Sequence, residues 1–317
     1  MSKFNGKSTT EDVIQGIDLN GKTAIVTGAS AGLGVETSRV LAAAGAKVIM
    51  VGRDMDKLGA AANSIVAKHP IAQLELIKMD LADMGSVREA AESILTQHAS
   101  INILINNAAV MACPFGKTID GLEIQFGTNH IGHFLFTCLL TPTIVNGGPS
   151  RIVNLSSSGH HNGEVNLEDP NFEKRPYEKW LAYGQAKTAN VQFSVTLSER
   201  LLDKGVRTFA VHPGAIKTEL GRHMTAEDAN VMAARSIIAG GWEYKTVPGG
   251  AATSVWAATS LELNNVSGIY LEDCQIADPV KEGSPGGFAP YAIDPRKSTL
   301  LWAVSEKIVG QVFNFQE

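Results

Sequence analysis

The stretch Thr27-Gly-Ala-Ser-Ala-Gly-Leu-Gly34 decides the fold of this chain. It lies between a short apolar run at residues 24–26 and a helical pattern at residues 35–44. A strand that ends at glycines and continues as a helix leaves backbone N–H groups unpaired at the positive end of the helix dipole, where phosphates bind. The spacing G-x-x-x-G-x-G differs from the common dinucleotide fingerprint. The stretch indicates a nucleotide-binding loop, although glycines also occur in ordinary strand-to-helix turns.

The glycines of this loop have different expected roles. Gly28 is expected to take the tight turn out of the strand, Gly32 to let the backbone approach a pyrophosphate, and Gly34 to let the helix pack closely on the sheet. We assign Ser30 and Leu33 of the same loop to the cofactor site as well. All five are candidate cofactor-binding residues.

Composition argues against several classes of function. The 317 residues are 44% hydrophobic and 19% charged, and the net charge of −5 comes with no basic run. These values are typical of a soluble globular chain with a large core, and they argue against a nucleic-acid partner. The three cysteines are far apart and form no C-x-x-C pair. We therefore expect no disulfide framework, no bound metal and a reducing compartment.

The N-terminal residues and the most apolar stretch indicate the location of the protein. Residues 1–20 are polar and show no signal-peptide pattern. Residues 130–145 are the most apolar stretch, but Gly132, His133 and Pro142 interrupt it, and it falls short of a membrane span. We therefore expect a cytoplasmic protein without a membrane-spanning segment.

After the glycine loop, the chain alternates between strand and helix patterns. Residues 22–27 and 47–51 are predicted as parallel strands joined by a helix. The second strand runs into Gly52-Arg53-Asp54. In a dinucleotide site an acidic residue at this turn binds the adenosine 2′-hydroxyl, whereas an arginine suits a 2′-phosphate. The turn favours NADP over NAD; the alternative is a solvated Arg53, with Asp54 reaching the ribose.

Polar side chains follow the third and fourth predicted strands. After the third strand come Asp80 and Leu81. A carboxylate there can accept from an adenine amino group or cap the next helix, although Asp83 or Ser86 is the better candidate for the cap. After the fourth strand comes Asn106-Asn107-Ala108-Ala109, whose amides can tie neighbouring strands together while the alanines leave room for a ribose. A plain strand-end turn is the alternative.

In this order, the glycine loop, Asp80-Leu81 and Asn106-Asn107-Ala108-Ala109 resemble the short-chain dehydrogenase/reductase family. The resemblance extends along residues 20 to 275. It implies a nicotinamide cofactor. The residues after the third and fourth strands that it assigns to the cofactor site are Asp80, Leu81, Asn107 and Ala108.

Later motifs add a candidate catalytic set. A strand pattern at residues 151–155 runs into three serines, and the family's frame implies that Ser157 holds the substrate carbonyl, with Ser158 as the alternative. Tyr183 and Lys187 are four residues apart and share a helix face. That spacing alone is common on protein surfaces, but after this strand and loop the resemblance implies a catalytic pair that also contacts the cofactor.

Two further assignments rest on the resemblance. An asparagine three residues before Gly132 can mark a helix break that leaves a carbonyl free for water. Asn129 by itself reads as an ordinary polar residue, and the resemblance implies a catalytic role through a water relay. The segment Pro213-Gly214 and Thr218 would pass the nicotinamide and its carboxamide, although Pro-Gly also occurs in ordinary turns.

The expected reaction is hydride transfer, with Tyr183 moving the proton. A free phenol has a pKa of about 10. We expect Lys187 to lower that pKa, because an ammonium at about 4 Å with an effective dielectric constant of about 20 is worth roughly 4 kcal/mol before desolvation. Lys187 should also reach the ribose hydroxyls. Ser157 should orient the carbonyl, and Asn129 should support a proton path to solvent.

These patterns predict one α/β domain with a doubly wound, Rossmann-type sheet of seven parallel strands and helices on both faces. Residues 1–20 are expected to form an N-terminal arm, residues 21–275 the catalytic domain and residues 276–317 a C-terminal extension. Residues 219–247 resemble a mobile flap over the substrate. The extension ends in an apolar helical pattern, which favours packing on its own domain, with a subunit contact or a membrane surface as alternatives.

Within the family, the chain resembles the branch of retinol dehydrogenases and WW-domain oxidoreductases. This rests on Val110-Met111 before Cys113-Pro114, on His160-His161 shortly after the serines, and on residues 211–214. A solvated loop is the favoured interpretation of the two histidines, and a place in the substrate cleft is the alternative. We expect neither an anchor helix nor a WW module, so the resemblance does not imply a retinoid substrate.

The favoured function is an NADP-dependent carbonyl reductase or alcohol dehydrogenase, with NAD as the second choice of cofactor. Its substrate is expected to be a small, fairly hydrophobic ketone, aldehyde or secondary alcohol. One alternative is an inactive NADP-binding regulator, against which the complete set Asn129, Ser157, Tyr183 and Lys187 argues. Another is a sugar-nucleotide epimerase or dehydratase, against which the glycine spacing argues. The sequence leaves the oligomeric state open, including a homo-oligomer.

Overall fold

The glycine loop follows the first strand of a central sheet in a computed structural model that describes residues 2–230, 243–281 and 286–315. The strands of these residues are β1 Thr23–Thr27, β2 Lys47–Gly52, β3 Gln73–Lys78, β4 Ile103–Asn106, β5 Ser150–Leu155, β6 Val206–His212, β7 Ile269–Glu272 and β8 Gln275–Ile276. Their order in the sheet is β3-β2-β1-β4-β5-β6-β7-β8. The order reverses between β1 and β4, and open α/β sheets bind their ligands at such a point.

Helices cover both faces of the sheet because its strands are apolar on both sides. Ile25 and Ile49 pack to one side, Val26 and Met50 to the other, and all four are fully buried. The helices are α1 Thr10–Ile14, α2 Gly32–Ala43, α3 Met55–Lys68, α4 Met84–Gln97, α5 Ile124–Phe126, α6 Gly132–Asn146, α7 Lys179–Leu201, α8 Val247–Thr259 and α9 Pro295–Val309. Residues of α4, α6, α7 and α9 pack on one face, and those of α2, α3 and α8 on the other. The doubly wound sheet predicted from the sequence is confirmed.

The sheet differs from the prediction in its last strand. Strands β1 to β7 are parallel, as expected, but β8 returns antiparallel to β7. The turn between them is Asp273-Cys274, whose φ angles are 53° and 55°. A two-residue hairpin turn with both φ angles positive favours asparagine, aspartate or glycine at its first position and glycine at its second. Asp273 fits the first position, but Cys274 stands where glycine is favoured, so the local signal is weak and the eighth strand is absent from the prediction.

The N-terminal residues are packed on the domain. Thr9 and Asp12 form a reciprocal cap at the start of α1, and Val13 is buried. Arg39 of α2 makes an ion pair with Glu11 of this helix. The expected arm therefore contains a helix that contacts the main domain.

The terminal helix α9 packs on its own domain, which was the favoured expectation. Trp302 contacts the rings of Phe134 and Phe193, with centroids 4.9 and 6.0 Å away. At the last residue of α9, Arg88 of α4 donates to the carbonyl of Val309 at 2.9 Å and so ties the end of this helix to a second helix. In the part of the chain that the structure describes, no helix has the length and hydrophobicity to cross a membrane.

Candidate active site

The glycine loop forms a tight link between β1 and α2. Gly28 has a φ of 66°, and a Cβ there would lie 2.8 Å from the Cα of Ala108. A Cβ on Gly34 would lie 2.2 Å from the carbonyl oxygen of Gly28. Both positions exclude a side chain, because the loop packs against the end of β4 and against itself. At Gly32, by contrast, a Cβ would approach only the side chain of Thr218, at 3.4 Å.

The first turn of α2 has free donors. Its N-cap residue, Ala31, supplies no side-chain hydrogen bond. The first backbone N–H groups of a helix have no partner within the helix. This turn lies on the wall of a cavity, so its N–H groups can serve a phosphate ligand.

The cavity runs along the carboxyl ends of the strands and has a volume of about 1350 Å³. Most of the residues singled out from the sequence meet on its wall. They are Gly28, Ser30, Gly32, Leu33, Arg53, Asp80, Leu81, Asn107, Ala108, Ser157, Tyr183, Lys187, Pro213, Gly214 and Thr218. Gly34 and Asn129 do not line it. In the described residues, no cluster of three or more His, Cys, Asp or Glu side chains is placed to hold a metal ion.

One end of the cavity has a basic rim after β2. Arg53 is exposed on its wall, and Lys57 of α3 lines the same region. The carboxylate of Asp54 accepts a hydrogen bond from the backbone N–H of Lys57 and caps α3. Asp80 accepts from the N–H of Ala82, at 2.9 Å.

The amides at the end of β4 tie neighbouring strands together. Asn106 donates to the side chain of Asn154 in β5 at 2.7 Å. Asn107 donates to the carbonyl of Thr27 in β1 at 2.8 Å. These bonds hold three strand ends in register at the floor of the cavity.

At the other end, α7 presents Tyr183 and Lys187 beside Ser157. Both α7 side chains are buried, yet they line the cavity, with the ammonium nitrogen 5.8 Å from the centre of the phenol ring. Lys187 Nζ donates to the carbonyl of Leu155, the last residue of β5, at 2.9 Å. Ser157 follows two residues later, and its hydroxyl accepts from the N–H of Gly159 at 3.0 Å. Side chains from two elements therefore converge on one point of the wall.

Burial shifts the pKa of Tyr183 upward, opposite to the expected direction. It raises the pKa of Tyr183 to about 12, and a hydrogen bond with Ser157 opposes that rise. It also lowers the pKa of Lys187 to about 7. The attraction between a phenolate and an ammonium, taken without desolvation, would lower the pKa of the phenol. In the structure desolvation is the larger effect, and the pKa of the phenol moves up.

Asn129 lies behind the cavity wall, in a π-helical turn, Gly127–Ile131, between α5 and α6. Its amide oxygen accepts from the N–H of Val110 at 2.8 Å, and its amide nitrogen donates to the carbonyl of the same residue at 2.9 Å. Its own carbonyl, which was expected to be free for water, is 3.0 Å from the Nδ1 of His133. Val110 lines the cavity, so Asn129 contributes to the cavity wall by fixing the backbone of this residue.

His133 links that turn to the glycine loop and was not singled out from the sequence. The Oγ1 of Thr27 accepts from the N–H groups of Asn107 and Ala108, so its hydroxyl proton is directed to His133 Nε2, 2.9 Å away. His133 Nδ1–H then donates to the Asn129 carbonyl. A histidine in an apolar helix gives no sequence signal for such a link, because Thr27 is 106 residues away along the chain, although Asn129 is only one helical turn away.

The segment after β6 forms another wall of the cavity. Pro213, Gly214 and Thr218 all line it, and Thr218 lies opposite Gly32 of the glycine loop. The hydroxyl of Thr218 accepts from the N–H of Leu220 and starts a short 3₁₀ helix, Glu219–His223. Part of the expected flap, residues 231–242, lies outside the described residues.

The two histidines after Ser157 are not in a solvated loop. His160 is fully buried, and neither His160 nor His161 lines the cavity. His161 Nε2 is 3.0 Å from the carbonyl oxygen of Gly287 in the C-terminal extension. Both alternatives considered for these residues were wrong, because their partners come from a segment more than a hundred residues away.

Comparisons with known proteins agree with this geometry. The family model for short chain dehydrogenase matches residues 22–229. The short-chain dehydrogenase/reductase prx1 of Penicillium roqueforti is 38% identical, over 96% of this chain and 91% of its own length. Retinol dehydrogenase 13 of Homo sapiens is 41% identical, over 92% of this chain and 85% of its own length.

Solved structures show the same fold. An uncharacterized protein from Mycobacterium paratuberculosis is 33% identical, with a TM-score of 0.75 over 98% of this chain and 100% of its own. RhlG of Pseudomonas aeruginosa, solved as a complex with NADP, is 24% identical, with a TM-score of 0.62 over 80% of this chain and 95% of its own. This chain therefore belongs to the short-chain dehydrogenase/reductase family of oxidoreductases, in the branch that contains the retinol dehydrogenases.

Proposed function

We propose that the protein is an NADP-dependent carbonyl reductase or alcohol dehydrogenase in which Tyr183 transfers the proton. The observation that carries this proposal is the convergence of Ser157, Tyr183 and Lys187 on the wall of the cavity that also contains the glycine loop. Such a convergence puts a proton donor and a nucleotide site within one enclosure, which hydride transfer requires. A protein that only senses a nucleotide needs no such pair.

The residues of the cavity suit a nicotinamide dinucleotide. The uncapped first turn of α2 offers N–H groups to a diphosphate, and the backbone at Gly32 is open to a ligand. Asp80 and Leu81 lie at the end of the cavity near β3, as an adenine site requires. The bound cofactor would supply the hydride.

The side chains of this chain handle the proton and the substrate oxygen. Tyr183 donates its phenolic proton to that oxygen, and a pKa of about 12 keeps the phenol protonated at neutral pH. This favours reduction of a carbonyl. Ser157 orients the same oxygen, while Lys187 is held by the carbonyl of Leu155 and has further N–H protons for ribose hydroxyls. Asn129 holds Val110 of the cavity wall in place, and the second lone pair of its backbone carbonyl oxygen can accept from a water molecule of the proton path.

The basic rim after β2 supports NADP over NAD. Arg53 and Lys57 both lie on the cavity wall and suit a 2′-phosphate. Asp54, which in the other reading would bind the ribose, is used as the N-cap of α3. Asp54 also lines the cavity and uses only its Oδ1 in the cap, so the preference for NADP rests on the two basic side chains.

The wall near Tyr183 supports a fairly hydrophobic substrate. Apolar side chains line the cavity there from the end of β4 and from the segment after β6: Val110, Met111, Leu220 and Met224. Relatives named retinol dehydrogenase also suggest an apolar alcohol or aldehyde. We propose that the substrate is a small ketone, aldehyde or secondary alcohol and that the protein is cytoplasmic. We also propose that the chain consists of an N-terminal arm to residue 20, a catalytic domain to residue 275 and an extension from residue 276.

The proposal is tested by following NADPH absorbance with a panel of alkyl ketones, aromatic aldehydes and all-trans-retinal. We expect the wild-type protein to oxidise NADPH with at least one of them and Tyr183→Phe to lose turnover by orders of magnitude while still binding NADPH, because only the proton donor is removed. Tyr177→Phe is the matched control, since its hydroxyl bonds to the carbonyl of Cys113 away from the cavity. Retention of more than about a tenth of wild-type kcat in Tyr183→Phe would exclude Tyr183 from this role.

A further inference from the structure

A short 3₁₀ turn, Ser158–Asn162, connects the two sides of the candidate active site. Within it, the N–H of Gly159 donates to the hydroxyl of Ser157 at 3.0 Å. A Cβ on Gly159 would lie 2.7 Å from Cε1 of Tyr183, and a Cβ on Gly184 would lie 2.8 Å from the carbonyl oxygen of Gly159. The turn therefore packs directly against both Ser157 and the helix that carries Tyr183. Its shape sets where the serine hydroxyl stands relative to the phenol.

His160 braces this turn from the side away from the cavity. Its backbone N–H donates to the carbonyl of Ser157 at 3.0 Å, and its Nδ1 is 2.6 Å from the same oxygen. Its Nε2 accepts from the N–H of Ala289 at 3.0 Å. Because Nε2 accepts, the ring proton stands on Nδ1 and is donated to Ser157. The ring is fully buried and packs on Tyr270 of β7, with centroids 4.9 Å apart.

Further partners of this turn come from the C-terminal extension, in addition to His212 of β6, which accepts from the N–H of Ser158, and Thr188 of α7, which donates to the carbonyl of His160. The hydroxyl of Tyr291 donates to the carbonyl of His160 at 2.7 Å. His161 Nε2 is 3.0 Å from the carbonyl oxygen of Gly287. The N–H of Gly287 in turn donates to the carboxylate of Glu272, at the end of β7, at 2.7 Å. Residues 286–292 thus contact the turn through Gly287, Ala289 and Tyr291, and the N–H of Gly287 bonds this segment to the end of β7.

We infer that His160 is a positioning residue that holds the backbone of Ser157 in its working geometry, and that the C-terminal extension acts on the active site through this residue. The inference rests on the proposed role of Ser157. The C-terminal extension then helps to fix the position of Ser157 in the active site. A small displacement of an orienting group lowers turnover more than it lowers binding of a cofactor held elsewhere.

Two substitutions separate the two ring nitrogens of His160. In His160→Asn the amide N–H group takes the place of Nδ1 and keeps the bond to Ser157, whereas in His160→Gln the longer amide reaches Ala289 and gives up that bond. We expect His160→Gln to lower kcat about tenfold, with the Kd for NADPH unchanged, and His160→Asn to stay within about threefold of wild type. Equal losses in the two variants, or full kcat in His160→Gln, would overturn the inference.

A third variant acts from the extension and leaves the histidine in place. Ala289 has φ −72° and ψ 131°, which proline adopts, so the backbone accommodates Ala289→Pro. The Cδ of the proline replaces the hydrogen that points at Nε2, so this variant removes the donor and displaces the imidazole. We expect kcat to fall about threefold in the wild-type background and not at all in His160→Asn, whose side chain does not reach residue 289. An equal loss in both backgrounds, or none in either, would contradict the inference. If both His160 variants fail to fold, Ala289→Pro in the wild-type chain decides.

Ser157→Ala tells this inference apart from the proposed function. If Ser157→Ala abolishes turnover and the His160 variants behave alike, the proposed function stands and the positioning role fails. If Ser157→Ala keeps full turnover, the assigned role of Ser157 fails, and the inference fails with it.

Discussion

Tyr183 and Lys187 are buried on one face of α7, and burial shifts their pKa values in opposite directions. The pKa of the phenol rises to about 12, and that of the ammonium falls to about 7. A neutral phenol with a partly neutral amine is suited to giving a proton to a substrate oxygen. Burial is the largest cause of both pKa shifts. The hydrogen bond of Lys187 goes to the backbone carbonyl of Leu155, which carries no charge.

Arg53 is the residue on which the choice of cofactor depends. We expect Arg53→Asp to shift the ratio of kcat/KM for NADPH and NADH toward NADH, because a carboxylate repels a 2′-phosphate and accepts from a 2′-hydroxyl. The ratio is measured with one carbonyl substrate from the panel. Arg296→Asp, an exposed change at the start of α9, is the control for charge alone. An unchanged ratio in Arg53→Asp would mean that the 2′-phosphate is read by other residues.

Among the elements, α9 has two clearly different sides. Leu301, Trp302 and Val309 are buried against the domain, whereas Leu300 is 57% exposed. The guanidinium of Arg200 also lies 4.3 Å from the centre of the Trp302 ring. The apolar pattern of this helix therefore serves the core of its own domain, and Leu300 lies on its outer side.

Removal of the Trp302 side chain tests this packing. We expect Trp302→Ala to lower the free energy of unfolding by about 3–5 kcal/mol, because it leaves a cavity between α6, α7 and α9. Leu300→Ala, one position away on the exposed side, should change it by less than about 0.5 kcal/mol. Urea denaturation followed by circular dichroism measures both. Equal effects of the two variants would show that α9 does not pack in solution as described.

For the whole molecule, buried histidines couple stability to pH. Burial lowers the pKa of His133 to about 4 and that of His130 and His160 to about 3, from an ordinary value of 6.5. Between pH 6.5 and 4 the unfolded chain therefore binds more protons at these sites than the folded chain does. Stability rises with pH wherever the unfolded state binds more protons, so acidification through this window destabilises the fold.

We expect the free energy of unfolding to fall by about 2 kcal/mol per buried histidine between pH 7 and pH 5. Urea titrations at several pH values measure the slope. His130→Phe, placed among Phe126, Phe134 and Phe193, should remove about 2 kcal/mol of this pH-dependent change, the share of one histidine. His223→Gln, at an exposed site, should leave it unchanged. A slope that does not respond to His130→Phe would show that this histidine is charged or solvated in the folded protein.

The sequence by itself determined the order of strands and helices, the glycine loop and the residues at the carboxyl ends of the strands. Backbone conformation, helix starts and apolar periodicity are short-range properties, and the carboxyl ends of parallel strands must meet at one edge. The tertiary structure alone decided the hairpin at Asp273, the direction of the pKa shift at Tyr183 and the partners of His133 and His160. Those depend on burial and on the packing of segments against one another, including Thr27 on His133 and Ala289 on His160, and the local sequence does not encode this packing.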